Sequence, residues 1–328
     1  MKCTNRKKRT KFAGVFLSFL LLCGCGQSTP LENAYDISES SKLFGLYSKS
    51  SGISSSFFAE ELCIAGTEDL LREGITASLS EGAGLFDLQE CTMKFGKNVH
   101  ERLYPASTTK ILTAYVALKH GKLTDTATVT EAELQLEAGS STCGLSAGDT
   151  TTLEHLLYGL ILSSGNDAAN VIADMISGSS QEFAKLMNEE AKKIGATNSH
   201  FVNPHGLQNP EHYTTVYDMY LIFHTALQNE EFEKIISSQN HTGEFTNSAG
   251  ESFTKEWTTT NKFLNGEKTP PEGIQVVGGK TGTTSDAGNC LVLYSKKGEN
   301  PYISIVFKAE GPDNLYAEMT EMLEEILK

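Results

Sequence analysis

Ser107-Thr108-Thr109-Lys110-Ile111-Leu112-Thr113-Ala114-Tyr115-Val116-Ala117-Leu118-Lys119-His120 reads as one helix, entered from Pro105 and closed by Gly121. Ile111, Leu112, Ala114, Val116, Ala117 and Leu118 spread apolar surface around nearly the whole circumference. Such a helix is expected in the centre of a domain. Ser107 and Lys110 lie three residues apart, so one turn brings them to the same face. A serine hydroxyl becomes a useful nucleophile only when a base removes its proton. Lysine can be that base if burial and a second cation lower its pKa. The N–H groups at the helix start also favour developing negative charge. Alone, the pair is equally an N-cap serine followed by a surface lysine.

Two further motifs follow. Ser164-Gly165-Asn166 interrupts a helical stretch in which Leu153, Leu156, Leu157 and Leu160 keep helical spacing and Asp167 to Ile176 resumes it. Its hydroxyl could relay a proton and Asn166 could bind an amide, although Ser, Gly and Asn are also ordinary turn formers. Lys280-Thr281-Gly282 stands on a strand behind Gly278-Gly279. There the glycines allow a ligand to approach the backbone, and Lys280 and Thr281 suit a carboxylate. A peptide could pair along that strand edge. The plain alternative is a hairpin arm with an exposed lysine.

Around these motifs, Ile75 to Phe86 and Thr92 to Phe95 read as short strands, and the ordered domain is expected to begin near Ile75. Residues 57–71 are compatible with a helix carrying Cys63. Gln181 to Ile194 and Thr215 to Gln228 read as helices. Ile274 to Lys280, Cys290 to Ser295 and Tyr302 to Lys308 have strand character, and Leu315 to Leu327 closes the chain as an amphipathic helix. Strands at both ends with helices between predict an α+β domain, one antiparallel sheet flanked by a helical cluster.

Of the 328 residues, 39% are hydrophobic and 21% charged, as in ordinary globular proteins. The formal net charge is −14. Six of the 27 basic residues, Lys2 to Lys11, precede Cys25, where no acidic residue stands; without them 21 basic face 41 acidic residues, a net of −20. So acidic a surface argues against nucleic acid as a partner. The basic start, the apolar run Phe12 to Leu22 and Leu22-Cys23-Gly24-Cys25 read as an export signal over residues 1–24. The last four residues resemble the lipobox of bacterial lipoproteins, in which Cys25 would receive lipid; a simple cleaved signal is the alternative. Residues 25–56, rich in Ser and Gly, read as a tether and flexible linker ahead of a domain at 57–328. Cys63, Cys91, Cys143 and Cys290 fit no zinc spacing, and free thiols or one or two disulfides are both open.

The three motifs, in this order and with their flanks, resemble the low-molecular-weight penicillin-binding proteins that are serine-type D-alanyl-D-alanine carboxypeptidases. Those flanks are Tyr104-Pro105-Ala106, Asp167-Ala168, His205-Gly206-Leu207, His212-Tyr213-Thr214-Thr215 with Asp218-Met219, and Ala287-Gly288. The resemblance covers roughly residues 75–328. It implies the transpeptidase fold shared by penicillin-binding proteins and β-lactamases. It also implies that Ser107 attacks the D-Ala-D-Ala carbonyl of a peptidoglycan stem peptide with Lys110 as base. Ser164 and Lys280 would assist proton transfer and carboxylate binding, Asn166 would hold the acyl chain, and Thr281, Gly282 and Thr283 would line the substrate. The oxyanion would sit between the backbone N–H groups of Ser107 and Thr283. β-Lactams would acylate Ser107, and no metal or organic cofactor is implied.

Many relatives carry a further β-rich domain and a C-terminal membrane helix. Here the expectation is that lipid on Cys25 anchors the protein to the outer face of the bacterial cytoplasmic membrane instead. At Thr258-Thr259-Thr260-Asn261 relatives often have a second asparagine in place of Thr259. A class A β-lactamase would share the motifs but needs a glutamate for deacylation, and Phe201-Val202-Asn203-Pro204-His205-Gly206-Leu207 holds none. A non-catalytic wall-peptide or β-lactam sensor, and an endopeptidase acting on cross-links, are the other readings.

Overall fold

The structure is a computed structural model and describes residues 61–328. The export signal, Cys25 and the linker lie outside the described residues.

Five antiparallel strands form the main sheet in the order β2-β1-β9-β8-β7. They are β1 (Gly82–Asp87), β2 (Thr92–Lys97), β7 (Gln275–Thr284), β8 (Gly288–Lys297) and β9 (Asn300–Ala309). The hairpin at the start of the domain therefore joins the meander at its end, through β1 against β9. Val292 and Tyr294 on β8 face the helical cluster, while Leu291 and Leu293 face the final helix. Apolar residues on both faces are what a sheet covered on both sides requires.

The helices are α1 (Lys110–His120), α2 (Leu153–Leu162), α3 (Asn166–Ser177), α4 (Ser180–Ile194), α5 (Val216–Ala226), α6 (Glu230–Ser237) and α7 (Gly311–Glu325). As its apolar circumference requires, α1 is enclosed, in contact with α2, α3, α4 and α5. Ile111, Leu112, Ala114, Val116 and Ala117 are wholly buried. By contrast α7 covers the opposite face of the sheet, packing on β8 and β9.

Several local expectations change. Ser107 does not begin the α-helix: Ala106–Thr109 form a 3-10 turn, and α1 starts at Lys110. Residues 61–71 are not helical; Ile64 and Leu70 make isolated bridges to β2. The ordered fold therefore starts before Ile75, because Cys63 is fully buried and its N–H donates to Tyr220 Oη at 2.8 Å. All four cysteines among the described residues are free thiols. Helix α6 and a second, four-stranded sheet were not expected. That sheet is β3 (Thr126–Thr128), β4 (Thr150–Thr152), β5 (Asn240–Thr246) and β6 (Ser252–Thr258) in chain order. Its two three-residue strands, Thr-Ala-Thr and Thr-Thr-Thr, are too short to show an apolar pattern, and their register comes from long-range pairing.

Candidate active site

The 3-10 turn decides how the nucleophile meets its base. With three residues per turn, positions i and i+3 eclipse, so Lys110 lies directly beneath Ser107. Thr108 holds the turn closed through its N–H (3.2 Å) and hydroxyl (2.7 Å), both donated to Pro105 O. Ala106 takes a left-handed φ of 47° immediately before the nucleophile. An alanine in that region costs about 1–3 kcal/mol and persists only where its surroundings enforce it. Gly206 lets the neighbouring loop press directly against it: a Cβ there would lie 1.8 Å from Ala106 O. Gly282 on β7 also allows a close pass, since a Cβ there would lie 2.9 Å from Ser107 N. The edge strand thus runs directly against the nucleophile turn.

Lys110 is fully buried and has three partners. Its Nζ lies 2.6 Å from Asn166 Oδ1, 2.8 Å from His205 O and 3.0 Å from Ser107 Oγ. Burial, and then the charge of Lys280, push its pKa well below the ordinary lysine range, with Asp167 opposing. A neutral amine has two N–H groups and one lone pair. The amide oxygen and the carbonyl oxygen can only accept, so they take both N–H groups. The lone pair is left for the Ser107 hydroxyl, which donates to it. This is the arrangement a general base needs.

The loop at residues 201–212 is pinned to α1 by a set of neutral contacts. Thr113 Oγ1 donates to Pro204 O at 2.6 Å. Val202 N–H donates to His212 Nδ1 at 3.2 Å, which places the ring proton on Nε2, where it donates to Thr109 Oγ1 at 2.8 Å. Burial first, then neighbouring positive charge, hold His205 and His212 down at about 3, so neither adds a cation beside Lys110. These histidines stood in flanking motifs of the sequence without an assigned role; their contribution is to hold the carbonyl of His205 on Lys110.

Ser164 sits in the break between α2 and α3 with a left-handed φ of 56°. Its hydroxyl has no hydrogen-bond partner among the described residues and lines the cleft. Asp167 braces the break, accepting from Cys143 N at 2.9 Å and Leu145 N at 3.0 Å. Asn166 gives its Oδ1 to Lys110, which leaves Nδ2 as the atom it can offer a ligand. Lys280 is 1% exposed, and its Nζ donates to Thr281 O at 2.9 Å. Burial lowers its pKa to about 7.

Ser107, Ser164, Thr281, Gly282 and Thr283 come together on one cleft of about 270 Å3, while Lys110, Asn166 and Lys280 are buried residues that do not line it. Ser141, Thr260, Lys262 and Tyr316 also line it, and sequence reading had given them no part. Thr260 Oγ1 lies 2.6 Å from Thr281 Oγ1 and ties the segment after β6 to β7. A larger groove of about 500 Å3 on the second sheet holds none of the motif residues. Among the described residues no group of His, Cys, Asp and Glu is placed to hold a metal.

Comparison with known proteins agrees with this geometry. The chain is 35% identical over 265 residues to the D-alanyl-D-alanine carboxypeptidase DacF of Bacillus subtilis, covering 78% of this chain and 64% of that one. To DacC of Escherichia coli it is 36% identical over 236 residues, 69% of this chain and 56% of that one. The chain thus spans between about half and two thirds of the length of these relatives. The DD-transpeptidase of Streptomyces K15 superposes with a TM-score of 0.70 at 28% identity, over 75% of this chain and 96% of that one. A carboxypeptidase structure from Mycobacterium tuberculosis gives 0.69 at 27% identity, over 77% and 92%. Residues 80–311, which hold the nucleophile turn, the α2–α3 break and the edge strand, match the D-alanyl-D-alanine carboxypeptidase family, and the chain belongs to it.

Proposed function

We propose that the protein is a serine D-Ala-D-Ala carboxypeptidase that removes the terminal D-alanine from peptidoglycan stem peptides through an acyl-enzyme on Ser107. The observation that carries this reading is the placement of the buried Lys110 Nζ 3.0 Å from Ser107 Oγ, with the acceptors Asn166 Oδ1 and His205 O as its other two partners. In the forward step Ser107 Oγ bonds to the carbonyl carbon and its proton passes to Lys110 Nζ. The oxyanion is received by the backbone N–H groups of Ser107 and Thr283. The tetrahedral species then breaks its C–N bond, and D-alanine leaves with a proton relayed through the Ser164 hydroxyl. Water, deprotonated in turn, releases the shortened peptide from Ser107. Asn166 Nδ2 and the β7 edge at Thr281 to Thr283 hold the acyl chain.

β-Lactams present the same carbonyl to the same serine. The residue that the 201–207 loop brings to Lys110 is a carbonyl and not a carboxylate, which favours slow deacylation over β-lactamase turnover. Residues 1–25 support export and lipid attachment at Cys25, on the outer face of the cytoplasmic membrane. The test is mass spectrometry on a synthetic pentapeptide: the wild-type protein should release D-alanine, and Ser107→Ala should not. Release at an unchanged rate by Ser107→Ala would refute the mechanism.

A further inference from the structure

The cleft must recognise a substrate that ends in a free carboxylate, and the two lysines of the catalytic motifs are poorly placed to meet it. Lys110 is fully buried, and its amine is engaged on Ser107, Asn166 and His205. Lys280 is 1% exposed, turned onto the carbonyl of Thr281. Neither lies on the cleft wall. Among the described residues the cleft wall nevertheless includes one cationic side chain, Lys262, and no acidic one.

Lys262 is positioned with some care. The hydroxyl of Tyr316 on α7 accepts its backbone N–H at 2.9 Å. Its Nζ stands 6.0 Å from the centroid of the Tyr316 ring, and Tyr316 also lines the cleft. Two residues earlier, Thr260 is tied to Thr281 on β7, so Lys262 follows directly on the segment that flanks the edge strand. The Lys262 side chain is 35% exposed, open enough to meet a ligand. At rest its ammonium pairs with Glu267 at 3.3 Å, a carboxylate that is itself 57% exposed and outside the cleft. An exposed pair of this kind contributes little stability and can exchange partners. A substrate carboxylate entering the cleft can therefore take the place of Glu267.

We infer that Lys262 supplies the positive charge that binds the terminal carboxylate of the substrate, beside Thr281 and Thr283 on the same cleft wall, with Glu267 as its resting partner and Tyr316 as its support. The inference rests on the carboxypeptidase reading and assigns a specificity residue to it. Lys280 then keeps a separate task, setting the charge environment of Lys110.

The test compares an acyl-D-Ala-D-Ala peptide with the same peptide ending in a C-terminal amide, using purified protein and variants whose thermal melts match the wild type. Lys262→Met keeps the length of the side chain over Tyr316 and removes the charge. It should lower kcat/KM for the free acid about tenfold, mainly through KM, as expected for one charge-assisted hydrogen bond at a partly exposed site, and leave the amide unchanged. Lys262→Arg should restore the preference for the acid. Glu267→Gln should act in the opposite direction and lower KM for the acid. If Lys262→Met loses equally on both peptides, or on neither, the carboxylate is held elsewhere and the inference is overturned. Wild-type protein inert towards both peptides and unlabelled at Ser107 by fluorescent penicillin would instead sink the peptidase reading, and this inference with it.

Discussion

Glu318, on the sheet-facing side of α7, offers a quantitative test of how this fold responds to pH. It is completely buried, and among the described residues neither carboxylate oxygen has a hydrogen-bond partner. Burial raises its pKa from 4.5 to about 7; Ser80 and Lys97 lower it and Glu321 raises it. Below pH 4.5 the group is protonated in both folded and unfolded chains and carries no penalty. Between 4.5 and 7 the unfolded chain gives up its proton while the folded one keeps it, so stability falls as pH rises. At 1.36 kcal/mol per pKa unit, the full difference comes to about 3 kcal/mol above pH 7. Glu318→Gln is nearly isosteric and cannot ionise. It should match the wild type near pH 4 and exceed it by about 3 kcal/mol at pH 8, a rise in melting temperature of roughly 6–12 °C for a domain of this size. Differential scanning calorimetry at the two pH values reads this directly. A melting difference that is the same at pH 4 and pH 8 would refute the reasoning, because a packing effect has no reason to follow the proton. Since α7 also carries Tyr316 onto the cleft wall, the substitution should extend the range of alkaline pH in which the cleft stays assembled.

Three further outcomes are expected. Lys280→Met removes a positive charge that lowers the Lys110 pKa, so the acid limb of Ser107 labelling by fluorescent penicillin should move to higher pH; an unmoved limb contradicts the assigned electrostatics. Asn166→Ala deprives the Lys110 amine of an acceptor, and stopped-flow acylation of Ser107 should slow on the order of a hundredfold with little change in the melt. Gly206→Ala places a Cβ into Ala106 O at a φ of +88°, and should destabilise the protein by about 2–4 kcal/mol in urea unfolding; a loss below the error of the titration would mean that the 201–207 loop yields freely.

Much of the fold was legible where hydrophobic spacing is strong. The all-round apolar surface of Ile111 to Leu118 placed α1 in the interior, and the short apolar runs of β8 and β9, bounded by turns, marked the main sheet. The second sheet was not legible, because Thr126–Thr128 and Thr150–Thr152 are too short to show a pattern of their own and become strands by pairing with each other and, through Thr150, with Thr246 on β5. Helix α6 was marked by Asn229 as N-cap and by Phe232, Ile235 and Ile236 on one face, but a segment of eight residues offers only two turns of periodicity. The helix start at Ser107 was misplaced by one turn because Ser107 and Lys110 share a face in either geometry.

What the sequence determined alone is the chemistry available and its local spacing. Ser107 and Lys110 meet because backbone geometry over three residues brings them together, whatever surrounds them. Only the tertiary structure decided whether that lysine is a base. Its partners Asn166 and His205 lie 56 and 95 residues away along the chain, and Lys280 comes from the far edge strand. The difference has a physical origin. Local geometry follows from short-range torsions and hydrogen bonds, whereas desolvation and Coulomb interaction depend on which remote groups packing brings near and on how completely it excludes water.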